Sequence, residues 1–401
     1  MLANTSDVYE FQDYRLEIKE RRLTRSGQAI HLRGKVFDTL AVLVANQGKL
    51  IRKDELLKAV WPDTVVEDNN LDHNISQLRK TLGDLPDGKK IIETIPRQGY
   101  RFAADVREVK AHAPSVIDTQ AIPDQKIQFF TTHDGVRIAY SVAGNGPPLV
   151  KAANWLNHLE FEWQSPIWRH WIPVLTAQHT LIRYDERGNG LSDWNISDFS
   201  FEAWIQDFDE LIETLGLKKF SLLGISQGGA VAMAYAARYP ERVEKLVLYG
   251  SFARGWMHRG SEEIERRNAL LTLVKLGWGT ENPAFRQMWT SIFMPAATPE
   301  QANWFNELQQ VTTSPENAVE LLKAGGRINI VDMLPNVRCP TIIFHSRNES
   351  AVPFREGHLL ASRIPGSRLV ELPSRNHLVI PQEPAWEIFV RELNLFLSPS
   401  V

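Results

Sequence analysis

The chain has 401 residues, 45 Lys and Arg against 48 Asp and Glu, a formal net charge of −3 and 43% apolar side chains. At roughly 100–200 residues per domain this length predicts two domains, or three if a lid counts separately. The charge excludes a polycation, so any nucleic-acid site must come from a local patch. A single cysteine, Cys339, excludes an intrachain disulfide and a thiolate zinc site, and beside Pro340 it reads as a small buried hydrophobe. The first residues, MLANTSDVYEFQDYR, lack the basic and apolar segments of a signal peptide, and no run of ~20 apolar residues could span a membrane. A cytoplasmic protein without membrane contact, metal or cofactor is expected.

In chain order, strand-like runs come first, at Tyr9–Phe11, Tyr14–Ile18, Arg21–Thr24 and Ala29–Leu32. A helix follows from about Gly34, with Val36, Phe37, Leu40, Leu43 and Val44 on one face and Gly48 as its stop. A second helix, Lys53–Trp61, ends at Pro62. A third starts near Asn69, where Asp68 and Asn69 suit an N-cap, and runs to Gly83. Two strands, Lys90–Thr94 and Tyr100–Ala103, are joined through Pro96-Arg97-Gln98-Gly99. Strands, three helices and a hairpin are the order of a winged helix-turn-helix. Residues 111 to 125 lack periodicity and carry two prolines, as an inter-domain linker does. The expected boundaries are 8–106 for the first domain, 107–126 for the linker and 127–400 for the second domain.

Beyond the linker, strand-like runs at Leu149–Ala152, Thr180–Tyr184, Phe220–Leu223, Lys245–Leu248, Thr341–Phe344 and Arg368–Leu372 alternate with helical segments. That pattern predicts a mostly parallel sheet with helical crossovers. Residues 251 to about 330 break it, being helical and rich in tryptophan (Trp256, Trp278, Trp289, Trp304), and are expected to form a cap.

The third helix carries the nucleic-acid reading. Leu71, Ile75, Leu78 and Leu82 make a buried stripe, which leaves Asn70, His73, Asn74, Gln77, Lys80 and Thr81 on another face. Amides of this kind can pair bidentately with adenine, and Lys can reach guanine or phosphate in a major groove. From Arg79 to Arg101 six basic residues, including Arg79, Lys80, Arg97 and Arg101, outnumber three acids, giving the local patch that phosphate contacts need. Arg97 is expected at the hairpin tip. The stretches GKVFDTLAVLVANQGKLIRKDELLKAVWPD, VVEDNNLDHNISQLRKTLGD and IIETIPRQGYRF make residues 8 to 104 closely resemble the OmpR/PhoB-type (ToxR-like) winged-helix domain. The resemblance implies Leu71–Leu82 as recognition helix and Arg97–Tyr100 as wing. Many members carry arginines at the positions of Asn69, Ser76 and Gln77, so a different operator is expected. With no receiver domain ahead of the winged helix, phosphorylation of a receiver Asp is not the expected input.

In the second half, Gly224-Ile225-Ser226-Gln227-Gly228 follows the strand-like Phe220-Ser-Leu-Leu and precedes a helix, Ala230–Arg238. Strand, sharp turn, helix is the setting of a nucleophile elbow, which makes Ser226 the candidate nucleophile. His377, in Pro-Ser-Arg-Asn-His-Leu after the last strand, is the candidate base. Glu349, after Thr341–Phe344, is the candidate acid; Asp332 is the alternative but precedes that strand. The oxyanion hole is expected from the backbone N–H groups of Gln227 and Trp155, although the loop Ala153-Asn-Trp-Leu-Asn-His158 lacks the His-Gly of many relatives. With Tyr184-Asp-Glu-Arg-Gly-Asn-Gly-Leu-Ser192, Val352-Pro-Phe and Asn376-His377, these residues make 127 to 400 resemble the α/β-hydrolase fold family. That family hosts many chemistries and some non-enzymatic receptors.

The expectation is a multidomain, double-stranded-DNA-binding regulator in which a winged helix (α+β) is joined to an α/β-hydrolase-type domain that senses a small apolar or aromatic ligand. A homodimer is expected. The alternative is a working esterase, thioesterase or C–C hydrolase tethered to DNA. A metabolic hydrolase with an incidental winged helix gives no reason for the polar helix face.

Overall fold

The computed structural model describes residues 8–18, 22–25, 28–30, 32, 34–61, 68–85, 88–96, 98–109, 123–280 and 282–398. The chain divides into two units at residue 118. The first contains β1 (Val8–Phe11), β2 (Tyr14–Glu17), β3 (Arg22–Arg25), β4 (Gln28–Ile30), α1 (Gly34–Ala45), β5 (Leu50–Arg52), α2 (Lys53–Val60), α3 (Asp68–Leu82), β6 (Ile92–Ile95), β7 (Gly99–Phe102) and β8 (Arg107–Val109). An antiparallel sheet runs in the order β4-β3-β2-β1-β8, and a second, smaller one in the order β5-β7-β6. Residues 107–109, expected to open the linker, instead pair with β1 as an edge strand.

The apolar faces read from the sequence meet in one core. Leu40, Leu43, Leu71, Ile75 and Leu78 are at most 2% exposed and pack with Tyr9, Phe11 and Phe102. Each such aliphatic burial contributes about 1.5–3 kcal/mol. Phe11 meets Phe102 edge-on at 5.1 Å, tying the first sheet to the hairpin. The Tyr14 hydroxyl donates to the carbonyls of Thr81 and Leu82, satisfying acceptors that the end of α3 leaves open.

The second unit holds β9 (Lys126–Thr131), β10 (Arg137–Ala143), β11 (Pro148–Ala152), α4 (Leu159–Trp163), α5 (Trp171–Thr176), β12 (Thr180–Tyr184), α6 (Phe201–Thr214), β13 (Phe220–Ile225), α7 (Gly228–Arg238) and β14 (Val243–Tyr249). Next come α8 (Ser261–Gly277), α9 (Pro283–Phe293), α10 (Pro299–Thr312) and α11 (Pro315–Arg327), then β15 (Thr341–Ser346), α12 (Phe354–Arg363), β16 (Arg368–Leu372) and α13 (Pro384–Leu397). One sheet runs β16-β15-β14-β13-β11-β12-β10-β9, parallel from β16 to β12, with β10 and β9 antiparallel at its edge. All six residues of β13 are buried, as a strand covered on both faces requires. The chain leaves β11 for β12 on one side and returns to β13 on the other. This reversal opens a crevice at the carboxyl ends of β11 and β13, where ligands bind in doubly wound sheets. Helices α8 to α11 are inserted between β14 and β15, in the expected cap region. Among the described residues, no helix is long and apolar enough to cross a membrane.

Candidate functional site

Ser226 stands between β13 and α7 with φ +52, a left-handed conformation that L side chains seldom adopt. Its N–H bonds Tyr249 O at 2.9 Å and its carbonyl accepts from Gly229 N–H at 3.1 Å, so the turn is pinned on both sides. The glycine after Gln227 is a steric need: a Cβ at Gly228 would lie 2.4 Å from Ala153 O. That contact is how the first turn of α7 approaches the loop after β11.

His377 lies beyond β16, almost fully buried. Its Nδ1 hydrogen-bonds the Glu349 carboxylate, and its backbone N–H donates to Phe293 O at 2.7 Å. His377 Nε2 is buried with no hydrogen-bond partner among the described residues. Glu349, on the loop after β15, also receives the Val352 N–H at 3.2 Å and lies 3.1 Å from His345 Nε2. Burial pushes the Glu349 carboxyl up, but the imidazoles of His377 and His345 pull it further, to below the usual carboxylate range. Gly250, with φ +54, admits the imidazole: a Cβ there would lie 2.8 Å from His377 Cε1. Asp332 is exposed, in a short 3-10 turn ahead of β15. The cluster thus has a hydroxyl on a strained turn, an imidazole with a free Nε2, and a carboxylate holding Nδ1. These are the parts from which a nucleophile, base and orienting acid are built.

The expected second oxyanion donor is differently engaged. Trp155 N–H points to Gln227 Oε1 at 3.2 Å, while Gln227 Nε2 donates to Glu186 Oε1 at 2.5 Å. Burial drives the Glu186 carboxyl up to about 8, against the lowering effect of the Gln227 bond. Gln227 therefore spans the loop after β11 and the loop after β12, and its side chain takes the Trp155 N–H that was expected to face substrate.

Two adjoining cavities meet at Ser226. One, of about 380 Å³ including space open to solvent, reaches His377 and Phe305. The other, of about 540 Å³ including space open to solvent, lies under the cap and is lined by Phe252, Trp256, Leu321 and Val352. Both are walled by Trp155, Trp289 and Phe293, with the two tryptophans edge-on at 5.5 Å. Arg259 and Arg267 also line the larger cavity. Sequence reasoning missed both arginines, because arginines at Met-His-Arg-Gly and on the charged face of α8 look like ordinary solvated side chains. Cys339 is buried, and burial lifts its thiol to about 11, so it is not a thiolate at neutral pH. Among the described residues, no group of three or more His, Cys, Asp or Glu is arranged to hold a metal ion.

In the first unit the exposed face of α3 carries Asn70, His73, Ser76 and Lys80, with Gln77 half-buried and its Nε2 3.0 Å from His73 Nε2. Three expected contacts fall elsewhere. Asn74 is buried, and its Nδ2 donates to Lys35 O at 3.1 Å and Thr39 Oγ1 at 3.0 Å, so it locks α3 to α1. It sits three residues after Leu71 and four before Leu78, inside the apolar stripe. Arg79 donates to Ile92 O and Thr94 Oγ1, joining α3 to β6. The Tyr100 hydroxyl meets Asp72 Oδ1 at 2.5 Å, and the ring is buried. Arg97 lies outside the described residues.

Comparison with known proteins agrees with both halves. Residues 27–102 match the family described as "Transcriptional regulatory protein, C terminal", and residues 161–384 match "alpha/beta hydrolase fold". A putative carbamate hydrolase of Azorhizobium caulinodans is 26% identical over 58% of this chain and 85% of its own length. An AB hydrolase superfamily protein of Bacillus subtilis is 26% identical over 62% and 91%. Among solved structures, an esterase from Exiguobacterium antarcticum superposes with TM-score 0.57 at 25% identity, covering 67% of this chain and 98% of that one. An enol-lactonase from Burkholderia xenovorans shares the fold with TM-score 0.56 at 22% identity, covering 68% of this chain and all of its own. The chain belongs to the alpha/beta hydrolase fold family and carries, ahead of that domain, an OmpR/PhoB-type winged-helix DNA-binding regulatory domain.

Proposed function

We propose that the protein is a transcriptional regulator whose hydrolase-fold domain senses a small apolar or aromatic ligand and hydrolyses it slowly. One observation supports the reading: Ser226 and His377 line one aromatic-walled cavity and Glu349 holds His377 Nδ1, yet Trp155 N–H is bound by Gln227 Oε1. A ligand has a place to bind, while one of the two donors that would stabilise an oxyanion is taken. Losing one such donor costs about 10²–10³ in rate. On the DNA side, Asn70, His73, Gln77 and Lys80 are the proposed base- and phosphate-contacting residues of α3, and Arg97 the proposed wing contact. The protein acts as a homodimer on two half-sites, and ligand shifts the pairing geometry of the two winged helices.

A second reading, a working serine hydrolase tethered to DNA, is favoured by the Glu349–His377 hydrogen bond and the free His377 Nε2. The two are separated by measuring p-nitrophenyl ester hydrolysis and operator binding in wild type and Ser226→Ala. The sensor reading expects ligand-dependent operator affinity in both proteins. Regulation lost only in Ser226→Ala makes chemistry part of the signal, and operator affinity blind to ligand in both removes the sensor.

A further inference from the structure

The larger cavity has an electrostatic character that its aromatic walls conceal. Among the described residues, its lining includes two guanidinium groups, Arg259 and Arg267, and no carboxylate. The Arg259 side chain is 2% exposed. Its Nε donates to Arg254 O at 3.0 Å, and its Cζ lies 4.7 Å from the Phe252 ring centre. Among the described residues no acceptor lies within hydrogen-bond distance of its terminal Nη1 and Nη2. The nearest acid, Glu356, is 3.9 Å from Nε and is shared with Arg254 and Arg355. Arg267 is committed to Glu263 and Ala351 O, and Glu263 is shared with Arg266. Around this wall, then, five guanidiniums face two carboxylates, with Glu349 adding a more distant negative charge to Arg267. Burial lowers Arg259 to about 10, which still leaves it fully charged at neutral pH.

Two tryptophans of the lining add donors of their own. Among the described residues, Trp155 Nε1 and Trp289 Nε1 are buried N–H donors without acceptors. A buried cation whose nearest anion is 3.9 Å away and shared with other guanidiniums is only partly compensated, and a bidentate carboxylate is the partner that guanidinium geometry fits. We infer that the cavity above Ser226 binds a small carboxylate on an apolar body, with Arg259 gripping the carboxylate and the tryptophan and phenylalanine walls holding the apolar part. This rests on the ligand-binding role proposed for the cavity and specifies the chemistry of its occupant. The carboxylate sits on the cap side, so the bond or group nearest Ser226 belongs to the far end of the molecule.

The test is a titration of the full chain, at pH 7, with 3-phenylpropionate and with 3-phenylpropanamide, which have the same body but differ in charge. Binding is read by calorimetry and by quenching of tryptophan emission. The acid is expected to bind at least about 10-fold more tightly than the amide, in line with hydrogen bonds to charged groups. Arg259→Met is expected to bring the two within about twofold of each other, and Arg259→Lys to keep part of the preference. Equal affinities in wild type, no binding of the acid, or an undiminished preference in Arg259→Met each overturn the inference. The wild-type comparison decides even if Arg259→Met does not fold. Operator affinity with and without bound acid is a separate readout: acid binding with unchanged operator affinity removes the sensor reading and leaves the carboxylate site standing.

Discussion

At the scale of single residues, Asn74 separates packing from recognition. As an isolated letter it is an amide on a candidate recognition helix, but its Nδ2 bonds Lys35 O and Thr39 Oγ1 in the core. Asn74→Ala is expected to destabilise the winged helix by about 1–3 kcal/mol, because buried acceptors lose their donor. It should leave base preference unchanged in protein that remains folded. Gln77→Ala should do the reverse, relaxing operator preference with little change in unfolding midpoint. Denaturation curves paired with binding to a set of mutated operators check both, and a specificity change from Asn74→Ala would restore it to the reading face. The positions of Ser226, His377 and Glu349 at a turn and at strand ends were legible as candidates, because a glycine-flanked turn and strand-end positions carry their own signals. The Gln227 bridge was not, since nothing in Gly-Ile-Ser-Gln-Gly says that the amide reaches both Trp155 and Glu186. Arg259 was hidden for the same reason: burial by the cap comes from tertiary packing.

At the scale of elements, long periodic segments were legible and short edges were not. The strands Thr180–Tyr184 and Arg368–Leu372 fall where alternation and turn signals put them. Three-residue strands such as Leu50–Arg52 and Arg107–Val109 are too short to show a period, and they exist because a neighbour, β7 or β1, offers a free edge. The pair β9 and β10 escaped notice because their antiparallel hairpin precedes the βαβ repeat that announced the sheet. The cap helices carry explicit start signals instead: Thr298 and Ser314 each precede a proline and accept from the N–H three residues on. In α10 the Gln301 side chain also returns to the Thr298 N–H, completing a capping box. Thr298→Ala is therefore expected to cost about 1 kcal/mol, read as a lower thermal midpoint of the hydrolase-fold unit. No shift would mean that α10 is held by packing alone.

At the scale of the molecule, buried charge beneath the site makes stability depend on pH. Burial drives Asp185 up to about 7 and Glu186 up to about 8, although backbone N–H groups of Leu191 and Leu159 oppose it at Asp185 and Gln227 opposes it at Glu186. Both carboxyls keep their proton when folded at pH values where the unfolded chain has released it. Their contribution is thus fully present below about pH 4 and is lost as pH rises toward about 8. Lys151, lowered by burial to about 8, has the opposite sign but acts only above that pH. Thermal unfolding of the full chain should show the hydrolase-fold transition falling between pH 5 and pH 8, with a flatter slope in Glu186→Gln. An equal slope in the variant would place the dependence elsewhere.

The central proposal, a ligand-sensing hydrolase fold whose chemistry is slowed by the Gln227–Trp155 contact, is tested most directly by one rate. That rate is the steady-state kcat of the full chain on p-nitrophenyl butyrate, with Ser226→Ala as the blank. A kcat below about 0.1 s⁻¹ is expected, at least tenfold under the roughly 1–10³ s⁻¹ of ordinary enzymes. A kcat of about 10 s⁻¹ or more, abolished in Ser226→Ala, would contradict it and make the protein a working hydrolase.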